Sequence, residues 1–254
     1  MHRGRRLGRA GRAGAALRLF RPHAGRRRPP RAAIRPHVLC MSSGMREYSA
    51  RGGARGELRL GDLPDLERYC YFVAGTVGEL LTELFLAAVP MPDAARRAQI
   101  CMRAVPFGLG LQLVNIVKDV AKDHARGVCY LPERLAAEQG VPLGDILLPE
   151  RREAGMAVLR RLCARAREHL AEAEEYTLAW PLPAGAPVRL FCAVPLALAL
   201  ATLAEVERGT DALVPGRSPK VSRALVAEIL GEAAAAGADD EALRRMLARW
   251  RGGG

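Results

Sequence analysis

The chain has 254 residues, half of them hydrophobic, and a formal net charge of +12 at pH 7. Twelve arginines and no acidic residue fall within residues 1–40, whereas the other 27 basic residues are balanced by 27 acidic ones. This length suits one large or two small domains with a buried core. Because the excess charge is confined to the first forty residues, we predict no nucleic acid as a partner of the rest of the chain.

The cysteines and the hydropathy bear on the cellular compartment. The six cysteines form no Cys-x-x-Cys pair and have no histidines at zinc-ligand spacing, so we interpret them as free thiols in a reducing compartment. The longest apolar run, residues 190–204, is shorter than the roughly 20 residues of a membrane span. No apolar signal-peptide stretch follows the first arginines. The expected location is the cytoplasm.

The first forty residues are rich in Arg, Ala, Gly and Pro, a composition that buries too little apolar surface to fold. Three interpretations stay open for them. The first is a transit peptide, although this segment lacks the usual serines. The second is a basic arm that binds anionic lipid or nucleic acid. The third is a mis-assigned reading frame ahead of Met41 or Met45. We therefore treat residues 1–61 as a disordered or mis-assigned basic leader and residues 62–254 as the folded domain.

Beyond the leader, apolar residues recur at helical spacing, and helix-capping residues separate the segments. No segment shows the alternation of a β-strand, so we predict an all-α fold. The predicted helices are residues 66–88, 94–123 with an interruption near Pro106, 151–179, 188–207, 221–235 and 239–250.

Four polar side chains share one face of the second predicted helix. At 100° per residue, Gln112, Asn115, Asp119 and Asp123 fall within an arc of about 80°, which apolar residues border. A solvent-facing stripe needs no ligand, whereas an inward-facing one leaves two carboxylates that need a neutralising cation. Carboxylates one turn apart suit Mg²⁺, because this ion takes its remaining ligands from water molecules and substrate phosphates.

Two blocks resemble the signature segments of squalene and phytoene synthases, which join two polyprenyl diphosphates head to head. They are residues 69–78 (YCYFVAGTVG) and 112–123 (QLVNIVKDVAKD). Residues 194–203 and 220–223 are more similar to the squalene-forming branch than to phytoene synthases. The resemblance covers roughly residues 62–235. It implies an all-α isoprenoid synthase helical bundle enclosing a long hydrophobic cavity.

The resemblance implies roles for the polar residues of the two blocks. Asp119 and Asp123 match the aspartate-rich motif that holds diphosphate through Mg²⁺. Gln112 and Asn115 match polar partners on the same helix, where they would contact the substrate. Tyr69 matches a tyrosine that handles a proton during cyclopropyl formation, so we expect it to be catalytic.

Five further residues receive expected roles from the same resemblance. Val73 and Val77 would line the substrate tunnel, although ordinary helix packing explains them equally well. Arg126 flanks the aspartates and would contact the diphosphate. Lys220 and Arg223 match a basic segment linked to NADPH in the reductive half-reaction; a solvated loop is the alternative.

The sequence departs from the family pattern at its N-terminal end. The family carries another aspartate-rich motif upstream of the tyrosine block, but no aspartate precedes Asp62. The dipeptide Gly44-Met45 is the last trace of the normal N-terminal half that we identify. We therefore expect an N-terminally incomplete member of the family, with half of the metal clamp absent.

The expected function is that of a Mg²⁺-dependent farnesyl-diphosphate farnesyltransferase, which joins two farnesyl diphosphates through presqualene diphosphate towards squalene. A phytoene or dehydrosqualene synthase is the alternative enzyme. The alternative of another class is an inactive homologue or the subunit of a paralogous synthase, which the missing motif favours. Besides the substrate, the expected partners are such a paralogue and a membrane contacted peripherally during product release.

Overall fold

The computed structural model describes residues 31–52 and 58–252. These residues contain no β-strand, only an isolated bridge between Leu60 and Pro132, so the all-α prediction is confirmed. The described helices are α1 (Arg31–Arg51), α2 (Leu63–Cys70), α3 (Thr76–Ala88), α4 (Ala94–Lys118), α5 (Val120–His124), α6 (Glu133–Glu138), α7 (Arg152–Leu178), α8 (Ala186–Arg208), α9 (Arg223–Ala236) and α10 (Asp240–Arg251). All six cysteines are free thiols.

Helix α1 corrects the predicted boundary of the leader. Residues 31–51 are helical and pack on the fold, although we predicted them to be disordered or mis-assigned. Tyr48 is buried and donates a hydrogen bond to the Asp65 carboxylate (2.9 Å), and Gly44 lies directly against the ring of Phe72. These few contacts hold α1 although its composition is basic. The prediction for residues 1–30 and 53–57 concerns positions outside the described residues.

Helices α2 and α3 form one rod that a π-helical turn, Tyr71–Gly75, interrupts. The rod begins where Asp62 accepts a hydrogen bond from the Asp65 backbone N–H (3.0 Å), with Pro64 in the first turn. The sequence predicts this rod as a plain helix. The π-helical turn adds one residue to the helical repeat and is a feature that often accompanies functional sites.

Helix α4 lies at the centre of the fold, between the rod and α7. Its N-terminus is capped by Asp93, which accepts hydrogen bonds from the backbone N–H groups of Ala95 (2.9 Å) and Arg96 (3.1 Å). The predicted interruption near Pro106 is wrong, because α4 runs through this residue without a break. The helix breaks instead at Asp119, where φ is −103° and ψ is 14°.

Glycines set the distance between the rod and α4. A Cβ atom on Gly78 would lie 2.1 Å from the carbonyl oxygen of Ala104, and one on Gly108 would lie 2.3 Å from that of Ala74. Each helix therefore presents a glycine to the backbone of the other. This reciprocal contact lets the π-helical turn approach α4 more closely than any side chain would allow.

A buried arginine connects the C-terminal helices. Arg189 is 2% exposed and donates hydrogen bonds to the carbonyl oxygens of Leu178 (2.8 Å) and Trp180 (2.8 Å). It also forms an ion pair with Asp240 at the start of α10. The last carbonyl groups of a helix have no hydrogen-bond donor within that helix. Arg189, on α8, supplies a donor to the carbonyl group at the end of α7.

Three helical stretches have the length and apolar composition of membrane spans. They are Leu63–Ala88, Ala94–Lys118 and Ala186–Arg208. The longest uninterrupted apolar run of the sequence, residues 190–204, is shorter than each of them. Their most apolar windows are 28%, 50% and 61% buried, in the same order.

Candidate functional site

The two predicted carboxylates lie at the break between α4 and α5. The Asp123 N–H donates to the Asp119 carbonyl (2.8 Å), so the residues stay one helical turn apart despite the break. Each side chain is 18% exposed. Burial and, after it, repulsion from Asp119 raise the pKa of Asp123. Two like charges held close together and half-buried form an arrangement that a cation stabilises.

Basic side chains surround these carboxylates. The Lys118 Nζ lies 2.6 Å from Asp119 Oδ2, and the Lys122 Nζ lies 3.9 Å from Asp119 Oδ1. The Arg126 Nη1 lies 3.7 Å from Asp123 Oδ1 and is largely exposed. The structure therefore brings the predicted Arg126 to the aspartates, and it places two lysines where an anionic ligand would meet them.

A distant loop reaches the same place. The Ser218 hydroxyl lies 3.3 Å from both Asp119 Oδ1 and the Lys118 carbonyl oxygen, and it can donate to either. Lys220 and Arg223, the residues predicted to bind NADPH, follow this serine and are exposed. Ser218 was not predicted as a site residue, since a contact across a hundred residues leaves no local signal.

Tyr69 forms the buried aromatic part of the site. Its ring stacks on Tyr130 (centroids 5.1 Å apart) and meets the ring of Tyr48 edge-on (5.3 Å). Burial, followed by the hydrogen bond with Tyr130, raises the pKa of Tyr69, and the charge of Asp123 adds to the shift. Tyr69 therefore keeps its proton, and Tyr130, on which its ring stacks, lines a small cavity together with Asp123. Neither Tyr48 nor Tyr130 was predicted as a site residue.

The remaining predicted residues are further from this centre. Gln112 is half-buried and Asn115 is exposed, so solvent reaches the polar stripe between Gln112 and the aspartates. Val73 packs against the main core, and Val77 lies half-buried on α3. Both valines share the rod with Tyr69, but the contacts of the described residues do not join them to the aspartates.

Two cavities lie in the region that follows the carboxylates. One of about 760 Å³ is lined by His124 at the end of α5 and by the loop after it, including Val128 and Cys129, but by neither aspartate. A smaller one of about 10 Å³ lies under Asp123 and Tyr130 and shares Val128 and Cys129 with the first. Neither cavity is lined by the valines predicted for the substrate tunnel.

The donor set tests whether these residues suit Mg²⁺. Among residues 31–52 and 58–252, no cluster of three or more His, Cys, Asp or Glu side chains is arranged to hold a metal ion. Asp119 and Asp123 would supply two hard oxygen donors and no nitrogen or sulfur. That set fits Mg²⁺, which binds one or two protein carboxylates and takes its other ligands from water and phosphate, and it does not fit a structural zinc site.

Comparison with known proteins identifies the family. Residues 6–225 match the squalene/phytoene synthase family, so the chain belongs to it. The match begins well before residue 62, the predicted start of the domain. Together with α1, this match shows that the prediction of a disordered or mis-assigned leader over residues 1–61 is wrong for residues 31–51.

Curated relatives include synthases of both products. Squalene synthase of Schizosaccharomyces pombe is 30% identical over 172 residues, which are 67% of this chain and 36% of that enzyme. The 15-cis-phytoene synthase of Enterobacter agglomerans is 35% identical over 113 residues, 44% of this chain and 36% of the relative. The chain thus spans little more than a third of the length of these relatives.

Solved structures show the same fold. A complex of TcSQS with the ligand BPH1237 matches with a TM-score of 0.73 at 24% identity, over 86% of this chain and 59% of the other. A dehydrosqualene synthase in complex with ligand gives 0.62 at 23% identity, over 79% and 64%. The predicted isoprenoid synthase helical bundle is confirmed.

Proposed function

We propose that this chain binds farnesyl diphosphate and takes part in the head-to-head condensation of two such molecules, through presqualene diphosphate towards squalene. Membership of the family makes it a prenyltransferase-type protein. The observation that carries the proposal is the pair Asp119 and Asp123, held one turn apart, with Asp123 lining a small cavity together with Tyr130, on which the buried Tyr69 stacks.

The carboxylates and their basic neighbours suit a diphosphate leaving group. Asp119 and Asp123 would hold Mg²⁺, which when bound neutralises the charge that develops on the departing diphosphate. Lys118 and Lys122 would exchange part of their contact with Asp119 for diphosphate oxygens. Arg126 would likewise exchange part of its contact with Asp123 for a diphosphate oxygen. Positive charges directed at the leaving group would stabilise the negative charge that develops on it during ionisation.

Tyr69 and the rod suit the carbocation that ionisation leaves. The Tyr69 hydroxyl is buried and keeps its proton, so it can hold or pass a proton at that atom. Val73 and Val77, which share the rod with Tyr69, would add apolar surface that keeps water from the cation once substrate is bound. Gln112 and Asn115 would provide polar contacts at the outer end of the stripe.

Squalene is proposed ahead of other products on the length of the similarity. The alignment with the S. pombe squalene synthase covers 67% of the chain, against 60% and 44% for the phytoene synthases of Pantoea ananas and E. agglomerans. Ser218 also brings the segment of Lys220 and Arg223 to Asp119. These two side chains would hold the phosphate of NADPH, which when bound supplies a hydride. Phytoene or dehydrosqualene synthesis is the second enzymatic candidate, supported by 40% identity to the phytoene synthase of Thermus thermophilus over 91 residues.

A role as the partner subunit of a paralogous synthase is the candidate from another class. It is supported by the sequence ahead of the tyrosine block, in which no aspartate precedes Asp62. The cytoplasm, with peripheral membrane contact for product release, remains the proposed location under each candidate.

Product analysis separates these candidates. The purified chain would be incubated with Mg²⁺ and labelled C15 or C20 diphosphate, with and without NADPH, and then with a paralogous synthase added. We expect C15-dependent diphosphate release and squalene with NADPH. Asp119→Asn should lower the rate at least about 10²-fold, because the variant loses charge at the metal position.

Glu241→Gln is the matched control, since it neutralises an ion-paired carboxylate on α10, outside the site. Product from C20 substrate alone would overturn the squalene assignment. Activity only with the paralogue would support the subunit candidate. Equal loss in both variants would contradict the role of Asp119.

A further inference from the structure

The loop between α8 and α9 is attached to the fold on both sides of Ser218. Leu213 and Pro219 are buried, and Ser218 itself is half-buried. The Arg152 guanidinium, on α7, donates a hydrogen bond to the Leu213 carbonyl oxygen. Because the loop is anchored before and after Ser218, the position of this side chain is set by the packing of the fold.

The exposed part of the same loop is a tight turn. The Arg217 N–H donates to the Val214 carbonyl oxygen (3.0 Å), and Gly216 has a φ of 79°, a conformation that favours glycine. Arg217 also forms an ion pair with Asp211 (3.1 Å). The turn closes on itself in this way, so the chain returns to the fold directly at Ser218.

The Ser218 hydroxyl lies at the break between α4 and α5. It is 3.3 Å from the carbonyl oxygen of Lys118, the last residue of α4, and 3.3 Å from Asp119 Oδ1. The other carboxylate oxygen, Oδ2, lies 2.6 Å from the Lys118 Nζ. Each oxygen of Asp119 therefore has a donor within hydrogen-bond distance, one of them charged and one neutral.

We propose that Ser218 is a positioning residue that orients the Asp119 carboxylate for Mg²⁺. A donor that holds a metal-ligating carboxylate from behind reduces the number of orientations that the ligand loses on binding, and so raises the affinity for the metal. Lys118 would exchange its contact with Oδ2 for the diphosphate, whereas Ser218 is neutral and would keep its contact with Oδ1. This inference rests on the proposed function, because it takes Asp119 and Asp123 as the residues that hold Mg²⁺.

A purely structural role would use only the Lys118 carbonyl. The last carbonyl groups of a helix have no donor within it, so a hydroxyl there would stabilise the end of α4 and leave Asp119 unaffected. A hydroxyl has one proton and can donate to only one of its two acceptors at a time. Hydrogen bonds to an ionised group are about twice as strong as those between neutral groups, so the proton favours the carboxylate at equal distance.

The test is the binding of Mn²⁺ to the full chain, followed through the electron paramagnetic resonance signal of the free ion. Mn²⁺ takes the same carboxylate and water ligands as Mg²⁺. Loss of a donor behind a metal ligand lowers the affinity about 10–100-fold. Since Ser218 is a neutral donor, we expect Ser218→Ala to raise the Kd for Mn²⁺ about tenfold. Ser218→Thr keeps the hydroxyl and should stay within about threefold of the wild type.

A kinetic readout separates positioning from loss of the chemical step. In the product assay, Ser218→Ala should raise the Mg²⁺ concentration for half-maximal rate about tenfold. The rate at saturating Mg²⁺ should fall less than about threefold, because the metal, once bound, still neutralises the leaving group. A fall in the saturated rate at an unchanged requirement for Mg²⁺ would overturn the proposal.

Ser222→Ala is the matched control, because this serine belongs to the same loop and its hydroxyl accepts a hydrogen bond from the Leu225 N–H (3.1 Å). Its Kd for Mn²⁺ should change less than about twofold. Wild-type affinity in Ser218→Ala, with binding lost in Asp119→Asn, would overturn this inference and leave the proposed function standing. An equal rise in Ser222→Ala, or no rescue by Ser218→Thr, would also overturn it. Binding that Asp119→Asn does not weaken would overturn both the inference and the proposed metal site.

Discussion

The crossing of α4 over the π-helical turn predicts a specific cost for Gly108→Ala. The new Cβ would lie 2.3 Å from the Ala74 carbonyl oxygen and 2.9 Å from the Gly75 nitrogen, where ordinary contact begins at 3.4 Å. Both atoms are backbone, so they cannot move aside as the end of a side chain can. The helices must separate by about 1 Å, and overpacking of this kind costs about 1–3 kcal/mol. The better helix propensity of alanine offsets up to about 1 kcal/mol.

The net expectation is a free energy of unfolding lowered by about 1–2 kcal/mol, or a Tm lowered by about 3–6 °C in a chain of this size. Urea and thermal unfolding followed by circular dichroism would measure both. The matched control is Gly231→Ala on α9, where a Cβ meets nothing within 4 Å. At that position only the helix propensity changes, so the free energy of unfolding should rise by about 0.5–1 kcal/mol. A Gly108→Ala protein as stable as the wild type would refute the close crossing.

Three further predictions concern the site and its supports. Tyr69→Phe keeps the ring packing and removes the hydroxyl, so product formation should fall about 10²–10⁴-fold with little change in Tm, and unchanged turnover would contradict its role. The hydrogen bond from His169 is the largest of the causes that lower the pKa of Glu67 from its usual 4.5 to about 2. The ionised Glu67 therefore stabilises the fold above pH 4.5, and this stabilisation is lost as the pH falls towards 2. Glu67→Gln should cost about 1–2 kcal/mol in urea unfolding at pH 7 and progressively less at acid pH; a constant deficit would exclude this linkage. Arg189→Met leaves two buried carbonyls without a donor and should cost about 3–5 kcal/mol, against less than about 0.5 kcal/mol for the exposed Arg245→Met; equal effects would refute its capping role.

The spacing of apolar residues predicted which segments are helical, but it did not predict where a helix is broken. Pro106 suggested an interruption, yet α4 passes through it. Met102, whose carbonyl loses its partner to the proline, is 68% exposed and open to water, which explains why the helix tolerates it. The break at Asp119 follows no glycine or proline. It coincides with the contact from Ser218, a tertiary interaction that helix propensity does not register.

The predicted start of the folded domain, residue 62, was wrong for a related reason. Composition averages over residues 1–40 are dominated by arginine, whereas α1 is held by a few particular contacts, chiefly those of Gly44 and Tyr48. Gly44 fits because the Phe72 ring occupies the space of a side chain, and Tyr48 fits because Asp65 accepts its hydroxyl. Such pairings depend on two distant segments at once, so neither segment indicates them alone.

The site shows the same division between local and distant signals. Asp119 and Asp123 were predicted from their spacing on one helix face, and Tyr69 was predicted from the resemblance of its block to the family. Tyr48 and Tyr130 complete the aromatic wall from two other segments, and the pKa of Tyr69 depends on burial that they help to create. Helix α1 is thus part of the candidate site as well as of the fold. A change at Tyr48 should therefore affect the environment of Tyr69 even though no motif contains it.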